Sequence, residues 1–235
     1  MGSGGVYCPH MKPNIQPWDR VARVLFGVIV AYAAYTLFEN PVARVLAALG
    51  ALFTLAEGIT GVCYLQRHLG IRSIAEGMRK DPILILLTVQ LVFAYEWWSS
   101  GWEKVTNPLF ADGLPKTFAA FASNNPFPWV KNFLTTIATP NAATFALLVT
   151  WGALAAGIAL FAAAALYAYS KNAKMKRWMV ALSLAALIGG MLLNATYFFS
   201  AGWTGPGTKG MNVVMFWIQA MLVYAYGSWL AEERR

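Results

Sequence analysis

The sequence has 235 residues, of which 58% are hydrophobic and only 12% are charged, and its mean hydropathy is +0.51. A soluble globular domain carries about 25% charged residues, so these values exclude that class and indicate an integral membrane protein. The net charge of +8 fits membrane orientation and attraction to anionic lipid headgroups, and we expect no nucleic-acid partner.

Apolar runs close to the bilayer-spanning length of about 20 residues occur repeatedly along the chain. They predict an all-α integral membrane protein with six transmembrane helices, at 21–38, 42–62, 82–100, 141–169, 178–200 and 211–230. The N-terminal segment does not combine a charged start with a short apolar core, as a cleaved signal peptide does, so we expect the first helix to be retained. Close helix packing is predicted at small residues, namely Gly152, Ala156, Gly157, Gly189 and Gly190.

The distribution of Lys and Arg predicts the orientation, because short loops rich in these residues stay in the cytoplasm. If the N-terminus is inside, most basic residues fall in cytoplasmic segments, including 66–81 and 171–177. We therefore predict that both termini are cytoplasmic and that the segments 101–140 and 201–210 lie on the outer face.

A charged segment at 66–81 separates a predicted helical pair from four further helices. We predict a two-helix module at 1–71, a cytoplasmic linker at 72–81 and a four-helix bundle at 82–235. Within the bundle, 101–140 is the longest region predicted to be mainly non-helical, and regions of this length are usually functional or disordered. Its many aromatic residues favour a cap on the outer interface over disorder.

The cysteines and histidines are few, and the predicted topology places all of them on the cytoplasmic side: Cys8, His10, Cys63 and His68. These residue types suit a zinc ion or a redox-active thiol pair. Their spacing is not a standard ligand spacing, however, and Cys63 at a helix end fits simple burial, so we predict no metal site. The sequence has no haem-attachment motif and no cysteine set for an iron–sulfur cluster, so no haem is predicted either. Glu57, an acid within a predicted membrane helix, is expected to pair with a nearby Arg.

Two motifs in the second half of the chain resemble a known family. They are GWEKVTNP at 101–108 and NATYFFSAGWTGPGTKGMN at 194–212. On these motifs, the region from 85 to the C-terminus resembles the DoxX superfamily of four-helix membrane proteins. It is most similar to the DoxD branch, the membrane subunit of thiosulfate:quinone oxidoreductase.

Two motifs near the N-terminus resemble a different family. They are DRVARVLFG at 19–27 and GITGVCYLQRHLGI at 58–71. On these motifs, residues 14–71 resemble the two-helix transmembrane domain of YgaP-like rhodaneses. Family sequences commonly place Cys-Pro in the second motif, whereas here Tyr64 follows Cys63.

The DoxD resemblance implies oxidation of thiosulfate to tetrathionate at the outer face of a prokaryotic cytoplasmic (inner) membrane, with two electrons passed to a quinone. It also implies a small second subunit, DoxA, as a partner. Nothing in this sequence resembles DoxA, so that subunit would be supplied by a separate chain.

The two DoxD-like loops follow helices that end on the same predicted face, and we expect them to form one site. A sulfur oxyanion needs positive charge and N–H donors, which Lys104, Lys209 and a Gly-rich turn before a helix would provide. The carboxylate of Glu96 is a candidate for proton exchange, and it shares a helix face with Ser100 and Lys104 if that helix continues. The predicted catalytic residues are Glu96, Glu103, Lys104 and Lys209. The predicted quinone-binding and substrate-binding residues are Trp98, Trp102, Asn107, Asn194, Tyr197, Trp203 and Asn212.

Structural explanations compete with these roles. Lysines near helix ends extend to the membrane interface, Trp and Tyr form interfacial belts, and ion pairs could join Glu96 to Lys104 or Glu103 to Lys209. For the whole protein, the alternative is a non-catalytic accessory subunit of a larger respiratory or photosynthetic complex. A carrier of a small sulfur compound is a third hypothesis, although the sequence shows few polar residues at mid-membrane.

Overall fold

The computed structural model describes residues 13–36, 41–69 and 81–232. The chain divides into two compact units, Met1–Pro82 and Ile83–Arg235. Cys8, His10 and most of the predicted linker at 72–81 lie outside the described residues.

The first unit is a helical hairpin. Helix α1 spans Pro17–Thr36, α2 spans Pro41–Thr60 and a short α3 spans Tyr64–Leu69. Glycines on both long helices allow close approach, because a Cβ on Gly27 or on Gly58 would stand 2.7 Å from a side-chain atom of the facing helix. The turn after α2 contains Gly61 with φ of 73°, a left-handed conformation that favours glycine at the end of a helix.

The second unit consists of four long helices and a helical cap. The long helices are α4 (Ile83–Thr106), α7 (Ala142–Tyr169), α8 (Ala173–Ala201) and α9 (Pro206–Glu232). Helix α4 packs mainly against α7, and α8 packs against both α7 and α9. A short 3-10 turn, Gly202–Thr204, joins α8 to α9. The core of this unit is a continuous apolar cluster that includes the fully buried Leu160, Leu187 and Tyr226.

The cap lies at the end of the second unit where α4 and α8 end and α9 begins, which we call the cap end. It consists of α5 (Phe110–Ser123) and α6 (Pro128–Phe133), which continues into a π-helical turn at Leu134–Ala138. The prediction that 101–140 is mainly non-helical is therefore wrong. Helix α4 extends to Thr106, and Pro128 opens α6 at its first turn, where a missing N–H costs nothing. Aromatic residues predicted to form the cap, including Phe118 and Phe133, pack around its own small apolar clusters.

The fold class is confirmed at the level of an all-helical, multi-pass membrane protein. The described residues include no strand. Five helices in this part of the chain are long and apolar enough to cross a membrane, namely α2, α4, α7, α8 and α9. Helix α1 is also 20 residues long, but it is not one of the five, and it begins with the charged residues Asp19, Arg20 and Arg23.

Some of the small residues lie at close helix contacts and others do not. A Cβ on Gly157 of α7 would stand 2.4 Å from the backbone nitrogen of Trp98 on α4. Gly101 of α4 makes the reciprocal contact, because its Cβ would stand 2.6 Å from the backbone nitrogen of Leu154. Gly152 and Gly189 have no such neighbour within 4 Å, so the predicted role in packing does not extend to them.

Candidate functional site

The last three turns of α4 present two different faces. Trp97 is buried, with 3% of its surface exposed, whereas Glu96 and Trp102 lie on the exposed side. The indole rings of Trp98 and Trp102 are stacked, with centroids 6.2 Å apart and planes inclined by 15°. Trp98 and Trp102 therefore form a flat aromatic surface on α4.

Lys104 is held close to the end of α4. Its Nζ donates hydrogen bonds to the backbone oxygen of Ser100 at 2.9 Å and to Ser100 Oγ at 2.7 Å, and it lies 5.8 Å from the ring centre of Phe110. The predicted shared face of Ser100 and Lys104 is confirmed, because the helix continues to Thr106. Among the described residues no carboxylate comes within ion-pair distance of this half-buried ammonium group.

The turn between α8 and α9 is fixed by the cap. Trp203 Nε1 donates to the backbone oxygens of Phe121 at 3.2 Å and Ser200 at 3.1 Å. Asn125 Nδ2 donates to the backbone oxygens of Phe199 and Ser200. These bonds hold the end of α8 against α5 and satisfy carbonyl groups that a helix end leaves open.

Three of the remaining predicted residues, Asn107, Lys209 and Asn212, have exposed or partly exposed side chains. Lys209 is exposed in the first turns of α9. Asn107 Oδ1 accepts a hydrogen bond from the N–H of Leu109, and Asn212 Nδ2 donates to the backbone oxygen of Thr208. In the described part of the chain, neither of the two ion pairs given above as a competing structural explanation, Glu96 with Lys104 or Glu103 with Lys209, is formed.

Asn194 and Tyr197 of α8 point into the bundle and meet residues that the sequence reasoning missed. Asn194 is 1% exposed, and its Nδ2 donates to Oε1 of the fully buried Gln219 on α9 at 3.3 Å. The ring of Tyr197 lies beside that of Trp97, with centroids 6.5 Å apart. We call Trp97, Asn194, Tyr197 and Gln219 the interior polar cluster.

Donor groups of the interior polar cluster are buried without a partner. Trp97 Nε1, Gln219 Nε2 and the hydroxyl of Tyr197 are inaccessible to solvent and have no hydrogen-bond partner among the described residues. A buried donor left unpaired costs about 1–3 kcal/mol. Native proteins rarely leave such groups together without a reason.

A second polar set lies deeper in the same unit and is satisfied internally. Gln90 Nε2 donates to the backbone oxygen of Leu160 at 2.8 Å, and Tyr226 Oη donates to Gln90 Oε1 at 2.8 Å. This set links α4, α7 and α9 and is a structural contact. Both sets contain a buried glutamine and a tyrosine. The groups of Gln90 and Tyr226 are hydrogen-bonded inside the protein, whereas Nε2 of Gln219 and the hydroxyl of Tyr197 have no partner among the described residues.

The signal that could have identified the missed residues is present in the sequence. Gln90 and Gln219 interrupt long apolar runs, and polar residues inside a membrane helix face the protein interior and mark functional or structural contacts. Such residues are few in this sequence, so its overall hydropathy gives them little weight. Trp97 could not be distinguished from its neighbour Trp98 without the tertiary structure.

In the first unit, a buried ion pair joins the two long helices. Arg23 Nη1 donates to Glu57 Oε2, and the side chain of Glu57 is only 8% exposed. The prediction that Glu57 pairs with an arginine is therefore confirmed. Arg20 donates to the backbone oxygens of Gly58 and Ile59, so it caps the end of α2.

Cys63 is buried in the turn between α2 and α3. Asn14 brackets it, because Asn14 Nδ2 donates to the Cys63 backbone oxygen at 2.8 Å and Asn14 Oδ1 accepts from the Cys63 N–H at 2.9 Å. Burial raises the pKa of the Cys63 thiol, which keeps it protonated and unreactive at neutral pH. Within the described ranges no group of three or more His, Cys, Asp or Glu side chains could hold a metal ion.

Comparison with known proteins gives one family for part of the chain. Residues 11–76 match the family model described as inner membrane protein YgaP-like, transmembrane domain. This confirms the resemblance of the N-terminal module. No match to a DoxX or DoxD family model is found. Neither a curated protein nor a solved structure matches the chain.

Proposed function

We propose that this chain is the membrane subunit of a thiosulfate:quinone oxidoreductase. In the reaction, two thiosulfate ions each lose one electron and join through a new S–S bond to give tetrathionate. One quinone takes up the two electrons and two protons and becomes a quinol. The sulfur oxyanion would be oxidised at the cap end, which the charge distribution assigns to the outer face.

The observation that carries this proposal is the ammonium group of Lys104, which has no direct ion pair among the described residues. Its ammonium group is half-buried beside Phe110 and bound only to uncharged oxygens of Ser100. A partly buried cation is stabilised by a counter-anion in contact with it. Among the described residues no carboxylate lies within ion-pair distance of this ammonium group, and the charge of Glu103 acts on it only from farther away. An exogenous dianion such as thiosulfate would provide that charge.

The other predicted residues have roles consistent with this position. Lys209, exposed at the start of α9, adds positive charge at the cap end. Glu96 and Glu103 are exposed carboxylates of α4 that can exchange protons with the quinone. We propose the quinone-binding and substrate-binding set predicted from the sequence: Trp98, Trp102, Asn107, Asn194, Tyr197, Trp203 and Asn212.

The proposal includes a membrane arrangement and a partner. Helix α1 would be the sixth membrane span, and both termini would be cytoplasmic in a prokaryotic inner membrane. The four long helices of the second unit would correspond to a DoxX-like bundle. A small DoxA-like chain would complete the enzyme at the outer face.

The test is thiosulfate-dependent reduction of a quinone by the purified chain in liposomes, with and without co-purifying proteins. Charge-assisted hydrogen bonds contribute about 1.5–3 kcal/mol, so Lys104→Gln is expected to lower kcat/KM for thiosulfate by about tenfold or more. Lys131→Gln is the matched control, because Lys131 is an exposed lysine of the same unit. Equal activity of the two variants would refute the role of Lys104.

A second candidate function is favoured by the shape of the first unit. Helix α1 buries only Gly27 and Ala34 among its described residues, and large apolar side chains such as Leu25, Ile29 and Phe53 are exposed. A hairpin with so little interior is suited to packing against another membrane protein. Co-purification of an inactive, quinone-free chain with a larger respiratory or photosynthetic complex would support an accessory role instead.

A further inference from the structure

A groove of about 360 Å³ lies along the first unit, at the end of the hairpin where α1 begins and α2 ends. Most of its lining residues belong to one face of α1, because they follow each other at intervals of three or four positions. The groove is lined by Pro17, Arg20, Val21, Val24, Leu25 and Gly58. All of these except Arg20 lack polar side-chain atoms, so the groove is an apolar channel with one cation in it.

The guanidinium group of Arg20 is held in place by the last turn of α2. Its Nε donates to the backbone oxygen of Gly58 at 3.0 Å, and its Nη2 donates to the backbone oxygen of Ile59 at 2.6 Å. A guanidinium group carries five N–H donors, so these bonds leave the N–H groups of Nη1 without a partner among the described residues. The side chain is therefore fixed and still offers donors.

The charge of Arg20 has no direct counter-ion among the described residues. Glu57 is paired with Arg23, and Asp19, which precedes Arg20, does not lie within ion-pair distance of it. The carbonyl groups at the end of α2 supply only partial negative charge. A guanidinium group with free N–H donors is suited to an anion whose oxygens accept two of them together, and phosphate has this geometry.

The position of the groove indicates where the phosphate comes from. Helix α2 is long and apolar enough to cross a membrane, so its last turn, with Gly58 and Ile59, lies near a membrane surface. The charge distribution assigns this end of the hairpin to the cytoplasmic side, where the lipid leaflet is anionic. A free phosphate ion would use Arg20 alone, whereas a phospholipid also has an acyl chain that fits the apolar channel.

We infer that this groove binds one anionic phospholipid, with its phosphate on Arg20 and an acyl chain along Val21 and Leu25. The acyl chain gains little by leaving the bilayer for the groove, because both surroundings are apolar. Selectivity for the lipid therefore comes from the charge-assisted hydrogen bonds of Arg20. The inference concerns the first unit and does not depend on the oxidation of thiosulfate proposed for the second.

Two substitutions with one matched control test the inference. Arg20→Gln removes the charge and keeps an amide donor for the α2 carbonyl groups. Arg67→Gln is the control, because Arg67 is exposed on α3 of the same unit and does not line the groove. Val21→Trp fills the apolar channel without changing the charge, and the Val21 side chain is exposed, so the core of the hairpin is not disturbed. Melting curves followed by circular dichroism establish that each variant is folded.

The measurement is the Kd of phosphatidylglycerol for the delipidated full chain in an uncharged detergent, from the lipid-bound fraction in native mass spectrometry. Phosphatidylcholine with the same acyl chains is the control lipid, because its head group has no net charge. We expect phosphatidylglycerol to bind at least about fivefold more tightly than phosphatidylcholine. Arg20→Gln is expected to raise the phosphatidylglycerol Kd about tenfold, and Val21→Trp about fivefold or more, whereas Arg67→Gln should leave it within about twofold.

Several results would overturn the inference. Equal losses of binding in Arg20→Gln and Arg67→Gln would indicate a general attraction of lipid to basic surface. Equal affinity for the two lipids would show that the groove accepts any acyl chain, and displacement of the lipid by inorganic phosphate would assign Arg20 to a free ion. If Arg20→Gln does not fold, unchanged binding in Val21→Trp would refute the site by itself.

A protein neighbour in the groove would give a different result. In that case phosphatidylglycerol would not bind, and Val21→Trp would convert an oligomer of the chain into a monomer, as measured by light scattering. That outcome would also overturn the inference.

Discussion

The contact between α4 and α7 gives a sharp test of the packing. Gly157→Ala adds a Cβ that would stand 2.4 Å from the backbone nitrogen of Trp98 and 2.7 Å from its Cα. Favourable contacts between heavy atoms begin at about 3.5 Å, so the two helices must separate locally by about 1 Å. The neighbour is backbone and cannot move aside as a flexible side chain would.

The size of the effect follows from two opposing terms. Overpacking of a well-packed interior costs about 1–3 kcal/mol, and a backbone neighbour places this site at the upper end. Replacing glycine by alanine inside a helix returns about 1 kcal/mol. We therefore expect Gly157→Ala to lower the free energy of unfolding by about 2 kcal/mol.

Gly152→Ala is the matched control, because Gly152 lies on the same helix and its Cβ would have no neighbour within 4 Å. This variant is expected to gain up to about 1 kcal/mol from helix propensity alone. Reversible unfolding in mixed micelles, followed by circular dichroism, measures both changes. If the two variants shift stability in the same direction by the same amount, the close approach of α4 and α7 is refuted.

The remaining predictions concern the first unit. Arg23→Ala leaves the Glu57 carboxylate buried without its partner and should lower the free energy of unfolding by about 3–5 kcal/mol. Replacing both residues by Leu should lower it far less. Equal losses of stability in the two variants, measured by unfolding, would contradict a buried ion pair. Gly61→Ala forces a side chain into a left-handed conformation with φ of 73° and should cost about 1 kcal/mol, which the same melts would detect. Burial raises the pKa of the Cys63 thiol, so we expect Cys63 to be alkylated slowly at neutral pH in a Cys8→Ser chain. The alkylation rate should rise only at pH values above the pKa of an ordinary thiol, where the Cys63 thiolate forms. A native rate equal to the rate in the unfolded chain would show that Cys63 is accessible.

Much of the local structure followed from the sequence. Long apolar runs located the spanning helices, and the prediction that an acid within the membrane needs a partner led to the Arg23–Glu57 pair. The extent of the cap helices did not follow. Prolines and asparagines at 101–140 are typical of loops and predict a non-helical region, whereas Pro128 starts a helix and Asn125 donates a hydrogen bond to the end of α8.

The candidate site was predicted only in part. Asn194 and Tyr197 were selected from a motif and do lie together in the interior, but Trp97 and Gln219 were missed. In a helix of a soluble protein, polar residues mark the exposed face, and the opposite, apolar face is the buried one. A membrane helix is apolar on every face because lipid replaces water, so periodicity does not distinguish Trp97 from Trp98.

The sequence alone determined the membrane class, the approximate positions of most helices and the need to pair Glu57, because hydrophobicity and charge act locally and can be read residue by residue. Only the tertiary structure decided which glycine separates two backbones and which glutamine keeps a free donor. Those properties depend on residues far apart in the chain, as with Gly157 and Trp98 or Gln219 and Gly190. Helix packing brings these residues together, and no local pattern of the sequence encodes their distance.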